Sequence, residues 1–310
     1  MQTTRRLIPA LALALAVLAA GCGGDDGSGG TISADGSSTV GPYVTAAAEE
    51  FQAQGGGTVT VGISGTGGGF ERFCVGETDL SNASRPIKDE EAAICEENDV
   101  AFTEFQVAND ALTVVVNKEN TWATCLTVDE LNAIWKPDST VNNWSQVRDG
   151  FPDVALKLFG PGTDSGTFDY FTDEINGEEG ASRSDYSASE DDNVIVQGIA
   201  GSPGGLGYLG FSYYEANTDT LTAVEVDGGD GCVAPSKETA QDGTYTPLAR
   251  PLFVYVKNDA LEREEVVDFM TFIFENETAI AEKSQFVPLN EDQIAEQQQK
   301  LDDAVAGAGS

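Results

Sequence analysis

The chain has 310 residues, with 52 acidic side chains against 16 basic ones and a formal net charge of −36, which argues against nucleic acid or an anionic membrane surface as a partner held by charge. It contains no histidine, which removes Ser-His-Asp and Cys-His catalytic sets and the commonest zinc ligands. The plain reading of the acidity is solubility or adaptation to salty surroundings.

In residues 1–22, Arg5 and Arg6 precede an apolar run, Leu7 to Ala20, that ends in Gly21 and Cys22. This is the pattern of a secretory leader, and about 14 apolar residues is too short a run to span a bilayer. The ending Leu18-Ala19-Ala20-Gly21-Cys22 resembles the lipobox of bacterial lipoproteins. That resemblance implies an extracytoplasmic chain held at the membrane by lipid on Cys22. Residues 23–30 are Gly, Asp and Ser only, which cannot bury apolar surface and so read as a flexible tether. The folded body starts near Thr31 and has about 280 residues, enough for one large or two ordinary domains.

Short apolar runs with strand character alternate with helical segments from there on. The expected strands include Thr58 to Ile63, Phe102 to Val107, Leu112 to Val116, Val154 to Phe159 and Leu252 to Val256. The expected helices are Tyr43 to Gln54, Lys88 to Asn98, Val128 to Trp135, Phe168 to Ile175, Asp191 to Ala200, Leu261 to Phe274 and Glu291 to Ala304. The alternation predicts an α/β fold. There is no internal repeat and no sustained heptad.

Three times a strand-like run leads through a Gly/Ser/Thr cluster into a helix, and each such junction can hold an anion on main-chain N–H groups. In the first, Ile32 to Asp35 runs into Gly36-Ser37-Ser38-Thr39-Val40-Gly41-Pro42, where Ser38 and Thr39 offer hydroxyls. The second passes from Val59 to Ile63 into Ser64-Gly65-Thr66-Gly67-Gly68-Gly69, with a helix expected over Phe70 to Val75. In the third, Leu156 to Phe159 leads into Gly160-Pro161-Gly162-Thr163-Asp164-Ser165-Gly166-Thr167, with Ser165, Gly166 and Thr167 as donors. One such junction is ordinarily a turn with a Ser/Thr helix cap. Three of them in a chain poor in cations point to an anion site. Neither a Rossmann GxGxxG in its spacing nor a GxxxxGK[ST] loop occurs. Arg85, in Asn82-Ala83-Ser84-Arg85-Pro86-Ile87, has a fork that matches a tetrahedral oxyanion, against the alternative of a surface ion pair.

Ala108 to Ala111 and Ala249 to Pro251 read as two crossovers of a hinge. One lobe then takes residues 31–110 plus 251–310 and the other 111–250, with a ligand in the cleft between them. Four cysteines remain once Cys22 is assigned to lipid, and in an exported chain two disulfides follow. Of three possible pairings, Cys74–Cys95 with Cys125–Cys232 is favoured because each bridge then stays within one lobe. Metal is the lesser alternative, since no CxxC occurs. Trp122, Trp135 and Trp144 read as core or cleft-rim residues.

Together, Asp35 to Val40, Gly62 to Gly68, Asn82 to Ile87 and Gly160 to Thr167, in this order, resemble the periplasmic phosphate-binding proteins of phosphate ABC transporters. The resemblance covers Thr31 to about Leu289. It implies a two-lobed periplasmic-binding-protein fold that closes on inorganic phosphate, acts as a monomer without cofactor or metal, and hands its ligand to membrane permease subunits. Carried over by position, Ser38 and Thr39, then Thr66 and Gly67, then Ser165, Gly166 and Thr167 are the implied phosphate contacts. Ser84 falls where well-known members have an aspartate that accepts the phosphate proton, and Pro161 where they have an arginine. Arg85 is then the replacement cation, and Asp164, ahead of Asp35, the candidate acceptor. The competing readings are another oxyanion such as sulfate or molybdate, a phosphatase using Ser38 or Ser165, and a surface protein whose clusters are only turns.

Overall fold

The computed structural model describes residues 30–163 and 165–308. The leader, Cys22, all of the tether but Gly30, and Asp164 lie outside the described residues.

Strands β1 (Ile32–Gly36), β2 (Val59–Val61), β3 (Leu80–Ala83), β4 (Phe102–Asn117), β5 (Cys125–Thr127) and β6 (Lys157–Pro161) make the first half of the chain's sheet structure. They are followed by β7 (Ser187–Ser189), β8 (Gly205–Gly210), β9 (Leu221–Ala223), β10 (Glu225–Asp227), β11 (Cys232–Val233) and β12 (Ala249–Lys257). The helices are α1 (Gly41–Ala53), α2 (Gly65–Phe73), α3 (Asp89–Glu97), α4 (Val128–Trp135), α5 (Gly166–Asn176) and α6 (Asp192–Ala200), then α7 (Phe211–Glu215), α8 (Lys237–Gln241), α9 (Glu264–Glu275), α10 (Glu277–Lys283) and α11 (Glu291–Ala308).

The main sheet runs β2-β1-β3-β12-β4-β8-β6-β7, with β9 also on β4, and β11-β10-β5 form a smaller sheet. At one end β2, β1 and β3 are parallel, and at the other β8, β6 and β7 are parallel. Antiparallel β12 and β4 join the two ends, in register from Lys257↔Phe102 to Ala249↔Ala111 with one shift at Leu252/Phe253. This is the two-lobed periplasmic-binding-protein fold of the α/β class.

Each end has its own core. Around β1 to β3, one apolar face of α1 (Tyr43, Val44, Ala47, Phe51) packs with Val254, Phe269 and Met270. Pro42 sits in the first turn of α1, where its fixed φ suits a helix start and its missing N–H costs nothing. Around β6 and β8, Trp135, Trp144, Phe171 and Tyr208 form the second core, and the last two rings stack 3.7 Å apart. Trp135 and Trp144 are thus core residues rather than a sugar platform, and Trp122 meets the edge of Trp144. The bridges Cys74–Cys95 and Cys125–Cys232 join the end of α2 to α3 and β5 to β11.

Three elements differ from the sequence expectation. Phe102 to Val107 and Leu112 to Val116 are one unbroken strand, because the intervening Ala108 to Ala111 pairs with β12 instead of turning. The helix expected from Phe70 begins at Gly65, so the glycine cluster is itself the first turn of α2. The helix expected over Leu261 to Phe274 is interrupted at Arg263, which is extended at φ −96° and ψ 123°; Glu264 and Glu265 follow in the first turn of α9, where acidic side chains favour a new N-terminus.

A further backbone contact lies beside β4 and β12, where Asn109 and Val287 form a bridge. Buried Glu277, at the start of α10, accepts the Leu289 N–H at 2.8 Å and so anchors the segment that follows Val287. Burial, against the pull of that hydrogen bond, raises its carboxyl from the ordinary 4.5 to about 7. The folded chain then holds this proton more tightly than the unfolded chain. The stability it contributes is full below pH 4.5 and lost as pH rises through about 7. Denaturant unfolding of the native chain and of Glu277→Gln at pH 4.5 and pH 8 should therefore diverge by roughly 3 kcal/mol, with the Gln variant gaining on the native chain as pH rises. An unchanged difference between the two pH values would show that this carboxyl is not held up.

Candidate functional site

Strands β1 and β2 lead into α1 and α2, β6 leads toward α5, and the three helix starts converge on one cleft of about 640 Å³. Ser38, Thr39, Thr66, Gly67, Ser84, Arg85 and Gly166 all line it. Ser165 and Thr167 flank Gly166 but do not line the cleft: the Ser165 hydroxyl caps α5 by accepting the Thr167 N–H at 3.2 Å. Asp164 lies outside the described residues.

The first wall is the β1–α1 turn. Ser37 is buried and its hydroxyl oxygen accepts the N–H groups of Thr39 and Val40, at 3.2 and 3.3 Å. That leaves exposed Ser38 and half-buried Thr39 facing the cleft. In the second wall, the Thr66 and Ser84 hydroxyls lie 3.1 Å apart, and the Ser84 N–H points to Thr66 at 3.3 Å. The end of β3 and the start of α2 are thus tied together at the cleft floor.

Glycine is required where α2 meets β1. A Cβ on Gly69 would stand 2.5 Å from the Gly36 Cα, which no rotamer change relieves. On the opposite side of the cleft a Cβ on Gly166 would come 3.0 Å from the Thr39 hydroxyl, so the first turns of α1 and α5 face each other across a narrow gap.

Three cations line the cleft: Arg85, Lys88 and Arg250. Arg85 is committed to Glu91, with both terminal nitrogens donating to its carboxylate at 2.8 and 2.7 Å. Burial works against the charged form of Glu91, but these bonds and the Lys88 N–H hold its carboxyl below its ordinary value. Arg250 lies on β12 at the register partner of Asp110 on β4. Its Nε and Nη2 each donate to Asp110 Oδ2 at 3.2 Å, Nη2 reaches Thr39 Oγ1 at 3.3 Å, and its plane lies 3.6 Å from the Tyr170 ring centre. Burial pushes the Asp110 carboxyl up, against the attraction of Arg250. Arg250 is the cleft residue that sequence reasoning missed. Its position beside a β-branched run marked it as hinge backbone, and nothing local shows that Asp110, far away in sequence, stands opposite.

Acidic groups line the far side. Asp169, Asp173, Glu174 and Glu179 all face the cleft. Burial and then the charge of Glu179 raise the Asp169 carboxyl, and burial followed by Asp173 raises that of Glu174. Asp35, the second candidate for a proton acceptor, is buried behind the first turn, where it pairs with Arg72 and accepts the Gly36 N–H at 2.7 Å.

A second depression, of about 530 Å³, lies between the end of α1 and α9; its charged lining, Glu264, Glu265, Asp268 and Glu275, is all acidic. Among the described residues, no helix is long and apolar enough to cross a membrane.

The model of the PBP superfamily domain matches residues 24–277. The Protein SphX of Synechococcus elongatus is 48% identical over 262 residues, which cover 83% of this chain and 77% of that one. The Phosphate-binding protein PstS of Staphylococcus saprophyticus is 39% identical over 308 residues, 97% of this chain and 95% of that one. The crystal structure of a possible phosphate binding protein from Planctomyces limnophilus superposes with a TM-score of 0.84 at 48% identity, covering 89% of this chain and 98% of that one.

The glycine cluster yields a paired prediction. Gly69→Ala should lower stability by about 2 kcal/mol or more, since α2 must retreat from β1. Gly67→Ala, whose Cβ would meet nothing nearer than 3.8 Å, should be neutral or stabilising by about 0.5 to 1 kcal/mol. Urea midpoints of the two variants check this, and equal effects would refute the close-approach account.

Proposed function

We propose that this chain, which belongs to the PBP superfamily and within it to the phosphate-binding proteins of the PstS and SphX kind, captures inorganic phosphate in its interlobe cleft and delivers it to the permease subunits of an ABC importer. The observation that carries this reading is the convergence of three helix starts and their hydroxyls on one cleft, in a molecule whose overall charge is strongly negative. Helix N-termini and neutral donors bind an anion by geometry and do not need a basic surface.

Phosphate contacts are assigned to Ser38, Thr39, Thr66, Gly67, Ser84 and Arg85 on one side and to Gly166, with Ser165 and Thr167 beside it, on the other. The lobes are taken as residues 31–110 plus 251–310 and residues 111–250. The separate cores and the Arg250↔Asp110 register support this division. Asp164 is assigned as the acceptor for the phosphate proton, and the engagement of Asp35 with Arg72 supports that order of preference. The lipobox-like ending at Cys22 supports a monomeric lipoprotein on the outer side of the cell membrane, and the absence of histidine supports binding without catalysis.

The test is thermal unfolding of the chain from Thr31 on, in phosphate-stripped buffer, with phosphate, sulfate or molybdate added. A ligand bound only by the folded state, at 100 times its Kd, stabilises by about 2.7 kcal/mol. Phosphate should raise the midpoint far more than sulfate, and Asp164→Asn should narrow that gap by weakening phosphate. Equal shifts with sulfate or molybdate would make this a general oxyanion carrier, and no shift with any of the three would end the transport reading.

A further inference from the structure

We propose that Arg250 is a second cation, beside Arg85, that meets the bound anion and locks the cleft shut, so that ligand occupancy is read at the hinge itself. The proposal rests on the phosphate-binding reading above and goes beyond it, because Arg250 belongs to none of the three Gly/Ser/Thr junctions.

The cations of the cleft differ in what they have left to offer. Lys88 is exposed at the rim, and Arg85 has both terminal nitrogens on Glu91. Arg250 is largely buried, with 19% of its side chain exposed, and it grips Asp110 through a single carboxylate oxygen. Among the described residues its Nη1 donates no hydrogen bond, and the residue lines the cleft. A guanidinium held through Nε and Nη2 keeps the Nη1 donors for a tetrahedral oxyanion in the cleft that it lines.

Its surroundings make it a latch. Arg250 sits on β12, one of the strands that joins the two ends of the sheet. From there Nη2 reaches Thr39 at the start of α1, while the guanidinium plane lies on Tyr170 in α5. Tyr170 is itself fixed, donating its hydroxyl proton to the Pro247 carbonyl at 2.6 Å. Thr39 and Tyr170 belong to opposite walls, and Arg250 joins the two in this structure. An anion between the walls offsets the cost of burying this cation, and in its absence the neighbouring carboxylates of Asp110, Asp169 and Glu174 draw on it from one side.

Arg250→Gln should weaken phosphate binding about 100-fold by calorimetry and abolish the phosphate-dependent fall in radius of gyration seen by small-angle scattering. Arg250→Lys, which keeps the charge and loses the fork and the stacking plane, should recover only part of the affinity and little of the compaction. Because Arg250→Gln strands the buried Asp110 carboxylate, the pair Asp110→Asn/Arg250→Gln is measured beside it. This double variant should fold and still lack the response. If it bound phosphate within threefold of the native chain and compacted as far, Arg250 would be only the neutraliser of Asp110 and the proposal would fail. If the native chain itself bound no phosphate, the underlying reading would fail instead.

Discussion

The pairing of β4 with β12 is the constraint on which the rest of the molecule depends. Nine residues of β4 pair with nine of β12, Val107 being passed over at the register shift, and the two strands run from one hydrophobic core into the other. From Val107 onward β4 is buried on both faces, so its polar groups must find partners inside the protein. The Asn109 backbone bonds to Val287, its side-chain oxygen accepts from Gln106 and Asp110 pairs with Arg250, whereas the Asn109 Nδ2 and the Thr113 hydroxyl are left without a partner among the described residues. The cleft floor is therefore made of strand backbone that is already satisfied, plus one ion pair that is not fully used. Because the crossings are continuous hydrogen-bonded strands, the two ends of the sheet can change their angle only by flexing this ladder.

The second constraint is electrostatic. A chain of net charge −36 cannot draw in an anion by its overall field, although salt screens that field beyond about 8 to 10 Å. What acts at the cleft is local: three helix starts, a set of hydroxyls and two arginines that are each balanced by a carboxylate. Arg85 with Glu91 and Arg250 with Asp110 follow the same pattern, a guanidinium oriented by an acid and presented to the cavity. Partial dipoles and balanced pairs create donors without leaving an unopposed cation buried when the cleft is empty.

Much of this was legible in the sequence, for identifiable reasons. The strand-cluster-helix junctions are local, so Ser38, Thr39 and Gly166 could be named from neighbours and Arg85 from its fork, while Thr66, Gly67 and Ser84 came from the family resemblance; the structure brings them to one cavity. Helices with one apolar face, such as α1 and α4, declared their extent through periodicity and caps. Non-local features did not. The glycine-rich run of residues 65–69 looks like a loop because glycine is a poor helix former, yet β1 lies so close to Gly69 that only glycine fits there, and packing overrides propensity. β8, a central strand, was not singled out, since Gly205 and Gly207 weaken its pattern; both face backbone that a Cβ would strike. Arg250 and Asp110 lie 140 residues apart and only sheet register joins them.

The acidic far wall turns the charge of the molecule from an obstacle into a filter. A hydroxyl or N–H donor serves any tetrahedral oxyanion, so donors alone distinguish phosphate from sulfate poorly. At neutral pH phosphate keeps a proton that it can donate, whereas sulfate has none. A carboxylate in the wall is then a hydrogen-bond partner for one ligand and an unrelieved repulsion for the other, a difference of about 1 to 3 kcal/mol for each such contact. Asp169 and Glu174 are already pushed toward protonation by burial and by their acidic neighbours before any ligand enters. A fully ionised second anion would add to that load, while a protonated one relieves it by sharing its proton. On the phosphate reading, acidic groups beside the cleft's hydroxyls and balanced arginines favour the anion that still carries a proton, in the same sense as the assigned acceptor Asp164.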